Sequence, residues 1–177
     1  MDGERQVLKE ARPTSALVLQ ALFNILGPAS SRSFLDLFAG RGRVGTGASE
    51  RGFSPVVFVE LSGKNVNAIA SRIDLNGCEI IRMDVRRALP LFASRSRRFD
   101  VIFADPPYDN GWVKRLASLS GRLSGIMNSG GVFILEHTKR ELLETSLWTG
   151  WDISSKTYGG TVLSFFQRHH EEEGESA

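Results

Sequence analysis

Apolar positions along the chain fall into two kinds of run: stretches with helical spacing, and short unbroken ones rich in Val, Ile and Phe. Residues 14–26 form the first amphipathic stretch, with Thr14 or Ser15 placed to cap it and Gly27-Pro28 to stop it. Phe34-Leu35-Asp36-Leu37-Phe38 reads as a strand that breaks at Ala39-Gly40. A helix over 44–51 follows, then a β-branched strand over 56–59 that ends at Glu60. Ser62 caps a helix through 74, Asn76-Gly77 turns the chain into a strand over 79–83, and Asp84 opens a helix through 92. The strand over 99–104 runs straight into Asp105-Pro106-Pro107-Tyr108. A helical stretch over 112–127 leads through Gly130-Gly131 to a strand over 132–136. Two last strands, 151–156 and 161–167, are joined at Tyr158-Gly159-Gly160.

Alternating helices and apolar strands predict an α/β fold, with a mostly parallel sheet covered by helices on both faces. Ligands in such sheets bind beyond the carboxyl ends of the strands, near the topological switch point. Acidic residues stand at those ends in succession: Asp36, Glu60, Asp84, Asp105 and Glu136. A single one would be an ordinary helix cap. The series marks a site.

Composition narrows the class. With 177 residues, 41% hydrophobic and 24% charged, the sequence suits one globular domain over 1–170. A short N-terminal segment over 1–13 and an acidic tail over 171–177 are expected to be frayed. The single cysteine, Cys78, permits no internal disulfide, and the three histidines have no metal-ligand spacing, so no metal is expected. No apolar run is long enough for a bilayer and the start lacks an apolar signal core, which predicts a cytoplasmic protein with no membrane partner; a monomer is expected. The formal charge is +2, but the last seven residues hold four glutamates, so the rest carries +6. A basic body with clustered arginines (Arg41, Arg43, Arg82, Arg86, Arg87, Arg95, Arg97, Arg98) suits a polyanionic partner.

Gly40-Arg41-Gly42-Arg43-Val44-Gly45 matches G-x-G-x-x-G between a strand and a helix, and Glu60 follows about 20 residues on, as in dinucleotide sites. A nicotinamide-dependent oxidoreductase is therefore one reading. Against it, Asp36 just before the glycines would repel a pyrophosphate yet suit an ammonium group. Asp84 is placed to accept from an adenine amino group. Asp36, Glu60 and Asp84 together fit a ligand with an amino-acid head, a ribose diol and an adenine. S-adenosylmethionine has all three and no phosphate.

Asp105-Pro106-Pro107-Tyr108 carries the second half of the chemistry. Two prolines stiffen the loop and remove two backbone donors. An exocyclic amino group of a nucleobase is a poor nucleophile because its lone pair is conjugated into the ring. A carboxylate and a carbonyl that accept its two N–H bonds hold the nitrogen for attack and favour developing positive charge. Asp105 and the Pro106 carbonyl suit that task, and Tyr108 suits stacking on a flat base.

Asp36-Leu37-Phe38-Ala39-Gly40-Arg41-Gly42 together with Asp105-Pro106-Pro107-Tyr108 resembles the class I amino-methyltransferases of nucleic-acid bases. Arg12-Pro13-Thr14, Ala21-Leu22-Phe23-Asn24-Ile25-Leu26 and Tyr158-Gly159-Gly160-Thr161 narrow the resemblance to the bacterial family that methylates guanine N2 in small-subunit (16S) ribosomal RNA. That likeness spans about residues 12–167. It implies a Rossmann-like, seven-stranded sheet with an antiparallel last strand. It also implies S-adenosylmethionine held by Asp36, Phe38, Gly40, Gly42, Glu60, Leu61, Asp84 and Val85. By the same resemblance Asp105, Pro106 and Tyr108 act on a flipped-out guanine, with Pro107, Arg12 and Thr14 beside it. The implied partner is ribosomal RNA or the assembling small subunit. Family members usually carry a longer basic, glycine-containing segment before Arg-Pro-Thr, whereas eleven residues precede Arg12 here. Arg41 and Arg43 also replace the small residues usual in that loop.

A DNA adenine-N6 methyltransferase would share both motifs but needs an added recognition region. A protein glutamine methyltransferase would carry Asn in place of Asp105. Outside the site, Cys78 is expected on a buried strand, Trp112, Trp148 and Trp151 in packing roles, and His137 at the surface.

Overall fold

The computed structural model describes residues 15–74 and 76–169. Seven strands form one sheet: β1 (Phe34–Asp36), β2 (Val56–Glu60), β3 (Cys78–Arg82), β4 (Phe99–Ala104), β5 (Met127–Thr138), β6 (Trp151–Tyr158) and β7 (Thr161–Arg168). Their order is β3-β2-β1-β4-β5-β7-β6. The five strands from β3 to β5 pair in parallel, and β7 runs antiparallel to both β5 and β6. The predicted α/β class and reversed last strand are therefore what the chain forms.

The central strands are apolar on both faces because both are covered. Val56, Val57, Phe58 and Val59 are all fully buried. Helices α4 (Val85–Ser94), α5 (Trp112–Ser118) and α6 (Ser120–Gly125) pack on one face, through Leu89, Phe92, Leu116 and Leu123. Helices α1 (Ala16–Leu26), α2 (Arg43–Ser49) and α3 (Gly63–Ala70) pack on the other, through Leu22, Phe23, Ala48 and Ile69. At the amino ends of β1, β4 and β5 a polar knot joins three strands. Asp100 accepts from the Ser33 amide and hydroxyl at 2.8 and 2.7 Å and from Asn128 at 2.7 Å. Burial pushes the Asp100 carboxyl up, but the bonds from Asn128 and Ser33 outweigh it and hold it below its ordinary value.

Several boundaries differ from the sequence reading. Ser15 is the α1 cap, accepting from the Val18 amide at 3.2 Å, and α3 stops at Ala70, before residue 74. The stretch expected as one helix over 112–127 is two, broken at Leu119. Its composition explains the break: the Ser118 hydroxyl bonds back to the Arg115 carbonyl, and Gly121 and Gly125 weaken the second helix. Strand β5 begins at Met127, ahead of residue 132, because the chain passes through a bulge opposite Phe99 and Val101. Gly130 takes a positive φ of 71° there. A Cβ on Gly131 would lie 2.9 Å from the Asn128 carbonyl oxygen, so the close crossing requires glycine.

Candidate active site

The order reverses between β1 and β4: from β1 the sheet grows outward through β2 and β3, and the chain then returns to place β4 on the other side. The carboxyl ends of these strands bring the acidic series together at that switch point. Asp36 ends β1 and is 1% exposed. Its Oδ2 accepts from the Gly45 amide at 3.0 Å, while its buried Oδ1 has no hydrogen-bond partner. Burial raises the Asp36 carboxyl to about 7; the backbone amides of Gly45 and, more weakly, Phe38 oppose that shift, and the nearby Glu60 and Glu136 charges add to it. A buried carboxylate oxygen with nothing to accept from is costly, and a cation is the partner that would relieve it most.

The glycine loop is held in place around this group. Glu60, at the end of β2, accepts from the Gly40 amide through Oε2 and from the Ser62 amide through Oε1, both at 2.7 Å. Gly40 has φ 53° and a Cβ there would meet no atom nearer than 4.0 Å, so the loop leaves open space on that side. Gly42 has φ 80°, and the Cβ of any other residue would approach Ile69 to 2.9 Å. At Gly45 a Cβ would lie 2.2 Å from the Phe58 ring, which makes glycine obligatory where α2 crosses β2.

Asp84 caps α4, accepting from the Arg86 amide at 2.8 Å. Its carboxylate also takes a bidentate pair from the Arg86 guanidinium at 2.9 and 2.8 Å. That pairing holds its carboxyl below the ordinary aspartate value. The neighbouring Val85 is buried, whereas Leu61, just beyond β2, is 63% exposed. An apolar side chain so open at a strand end offers a surface to a flat ligand. Phe38 lies edge-on to Trp112, with ring centroids 4.8 Å apart, so the loop after β1 is braced by the start of α5.

On the far side of Asp36, Asp105 follows β4 directly, with Pro106 buried and Pro107 exposed. Tyr108 is half-buried, and its hydroxyl donates to Glu136 Oε1 at 3.2 Å. Burial pushes the phenol well above its ordinary value, and the charges of Asp105 and Glu136 push the same way, so it is a neutral donor. Glu141 fastens the end of this loop: its carboxylate accepts from the Asp109 amide at 3.2 Å and from the Thr138 amide at 3.3 Å.

The fold thus brings Asp36, Phe38, Gly40, Gly42, Glu60, Leu61, Asp84, Val85, Asp105, Pro106, Pro107 and Tyr108 to one end of the sheet. Arg12 and Thr14 lie outside the described residues, as do the expected N-terminal segment and acidic tail. One expectation is overturned. His137 is 4% exposed, and its ring bonds Ser164 Oγ at 2.9 Å, because Glu136 and His137 sit on opposite faces of a strand covered on both. Cys78 is only partly buried on β3. Trp148 and Trp151 are packing residues about Phe166, the first with its ring tilted and the second edge-on. In the sequence Glu136 stands only as a strand-end acid; its alternation with the apolar Leu135 is the signal that it turns toward Tyr108. Among the described residues no group of His, Cys, Asp and Glu could hold a metal ion, and no helix is long and apolar enough to cross a membrane.

Residues 5–167 match the model of a family described as conserved hypothetical protein 95. YlbH of Bacillus subtilis, named provisionally as an rRNA methyltransferase, is 30% identical over 162 residues, covering 89% of this chain and 88% of that one. Ribosomal RNA small subunit methyltransferase D of Buchnera aphidicola is 30% identical over 142 residues, covering 78% and 73% respectively. Among solved structures, the Thermus thermophilus 16S rRNA N2 G1207 methyltransferase RsmC, in complex with AdoMet and guanosine, has the same fold. Its TM-score is 0.71 over 93% of this chain and 45% of that one, at 24% identity.

Proposed function

The chain belongs to the conserved hypothetical protein 95 family, the same family as ribosomal RNA small subunit methyltransferase D. From that premise we propose that it transfers a methyl group from S-adenosylmethionine to the exocyclic N2 of a guanine in small-subunit ribosomal RNA. Its sheet is that of the class I methyltransferases.

The observation that carries the reading is the pairing, across β1 and β4, of an orphaned buried carboxylate oxygen with the Asp-Pro-Pro-Tyr loop. The residues present fit the donor. Asp36 Oδ1 suits its ammonium group, and the open side of Gly40 leaves room beside it. Glu60 suits the ribose hydroxyls, Asp84 the adenine amino group, and the exposed Leu61 the face of the ring. A dinucleotide would put its pyrophosphate against Asp36, which argues for the phosphate-free ligand. When bound, S-adenosylmethionine supplies an electrophilic methyl group.

The chain's own residues do the rest. Asp105 accepts one N–H of the target amino group and the Pro106 carbonyl the other, which orients the nitrogen lone pair out of conjugation. Because both acceptors are fixed before the base arrives, they stabilise positive charge on nitrogen with little reorganisation. The proton leaves toward the Asp105 carboxylate or water. Tyr108 lays its ring against the base, which must leave its stack to reach this end of the sheet.

The test is transfer of labelled methyl to small-subunit RNA, to partly assembled subunits and to DNA, with the modified nucleoside identified. N2-methylguanosine from a ribosomal substrate is expected, and N6-methyladenine from DNA would overturn the substrate assignment. Asp105→Ala is expected to lower kcat at least about 100-fold with donor affinity within about twofold of wild type. Full turnover in that variant would refute the role of the carboxylate.

A further inference from the structure

Glu136 has no part in the methyl transfer as derived so far, yet it is a carboxylate 1% exposed at the chemical end of the sheet. Its place follows from strand register. The last parallel pair between β4 and β5 is Ala104 with Leu135, and one residue further along each strand stand Asp105 and Glu136. The two carboxylates stand at adjacent strand ends, and the Tyr108 hydroxyl donates to Glu136 Oε1 at 3.2 Å while lying within reach of the Asp105 charge. The same phenol belongs to the loop that receives the base, so a base entering against Tyr108 meets both carboxylates.

We propose that Glu136 is a specificity-determining residue that accepts the N1–H of the target guanine while Asp105 accepts from its amino group. This rests on the guanine-N2 reading. The chemistry discriminates among bases. On its Watson–Crick edge guanine presents two adjacent donors, N1–H and the 2-amino group, which match two adjacent carboxylates. Adenine and cytosine present an amino donor beside a bare ring nitrogen, whose lone pair would face the Glu136 carboxylate and be repelled. Uracil has the ring N–H but no amino group to methylate. In the free protein the Tyr108 hydroxyl donates to Glu136, so the carboxyl group already faces the loop that receives the base.

The experiment pairs a change in the base with a change in Glu136. The substrates are two RNA oligonucleotides spanning the nucleotide that the full-length protein methylates. One carries guanine there; the other carries 2-aminopurine, which keeps the 2-amino group but has a bare N1. Wild type is expected to favour guanine at least about 100-fold in kcat/KM, as sites built to accept a substrate N–H do. Glu136→Gln offers an amide donor to that bare N1. It is expected to lower kcat/KM on guanine and to shrink the guanine-to-2-aminopurine ratio at least about tenfold. Donor affinity and melting temperature in the same variant report whether the fold is kept.

Equal transfer to both oligonucleotides by wild type would overturn the proposal, and so would an unchanged ratio in a folded Glu136→Gln. Should that variant fail to fold, the wild-type comparison decides alone, selectivity upholding the proposal and its absence overturning it. Failure of the guanine-N2 reading shows separately, as no N2-methylguanosine from wild type on any ribosomal substrate.

Discussion

The unpartnered oxygen of Asp36 makes donor binding a matter of pH, and the sign can be worked through. The carboxyl titrates near 3.8 in an unfolded chain and near 7 when folded. Between those values the folded protein holds a proton that the unfolded chain has lost, so stability falls as pH rises from about 4 to 7 and is level above. At about 1.36 kcal/mol per pH unit, ionising Asp36 in the free protein costs about 4 kcal/mol. An ammonium group against Oδ1 reverses the balance by favouring the charged form.

Below pH 7, binding the donor must therefore expel the Asp36 proton, and affinity is expected to weaken about tenfold per pH unit. Above about pH 8 the donor's own α-amino group loses its charge and affinity falls again. The expected profile is a bell with its top between about 7 and 8. Titration calorimetry in buffers of different ionisation enthalpy should find close to one proton released per donor bound at pH 6.

Asp36→Asn should abolish the acid limb and weaken binding at pH 7.5 by about 1.5–3 kcal/mol, the worth of a hydrogen bond to a charged group. The same variant should stabilise the free protein at pH 8, because about 4 kcal/mol of ionisation cost is removed and only about 1–3 kcal/mol returns through the amide's unsatisfied N–H. A flat affinity between pH 5.5 and 7.5, with no proton released, would refute the assignment of Asp36 to the ammonium group.

Gly45→Ala places a methyl 2.2 Å from the Phe58 ring. It should destabilise the fold by about 1–3 kcal/mol or more, read as a lowered denaturation midpoint with an unchanged m-value. Tyr108→Phe removes the hydroxyl that donates to buried Glu136 and should cost about 1–3 kcal/mol of stability. Because the ring is kept, it should retain more turnover than Tyr108→Ala; equal losses in single-turnover assays would argue against stacking. Ser33→Ala removes a donor from Asp100, far from the chemistry. It should lower stability by about 0.5–1.5 kcal/mol at pH 7, leave donor affinity unchanged, and lose its effect in melts at a pH low enough to protonate Asp100.

The strands are legible in the sequence because short, predominantly apolar runs over 34–38, 56–59 and 99–104 leave little choice but a sheet buried on both faces. An acid stands in the first run, Asp36, and just after each of the others, Glu60 and Asp105, so its place near a strand end can be counted. The break in the helix over 112–127 is hidden because Leu116 and Leu123 keep their apolar spacing across it, and periodicity does not register a change of direction at Leu119. The early start of β5 depends on a bulge opposite Phe99, a property of two strands together, so no reading of one could find it. The burial of His137 is hidden for a similar reason. A polar residue near a strand end is ordinarily outward, and only the antiparallel neighbour β7, with Ser164 beside it, supplies the partner that makes burial tolerable. Burial of Asp36 and Glu136 likewise belongs to the assembled sheet, whereas their positions stand in the chain order.

The edge-on contact of Phe38 with Trp112 has a practical side. Trp148 and Trp151 are enclosed in the aromatic cluster around Phe133 and Phe166. Trp112 alone of the three touches the loop that follows Asp36. Its indole, at the start of α5, is an optical probe set against the loop, whereas the other two lie in the core away from it. Any rearrangement of that loop as a ligand settles would register as a change in intrinsic fluorescence from one known ring, with no label attached.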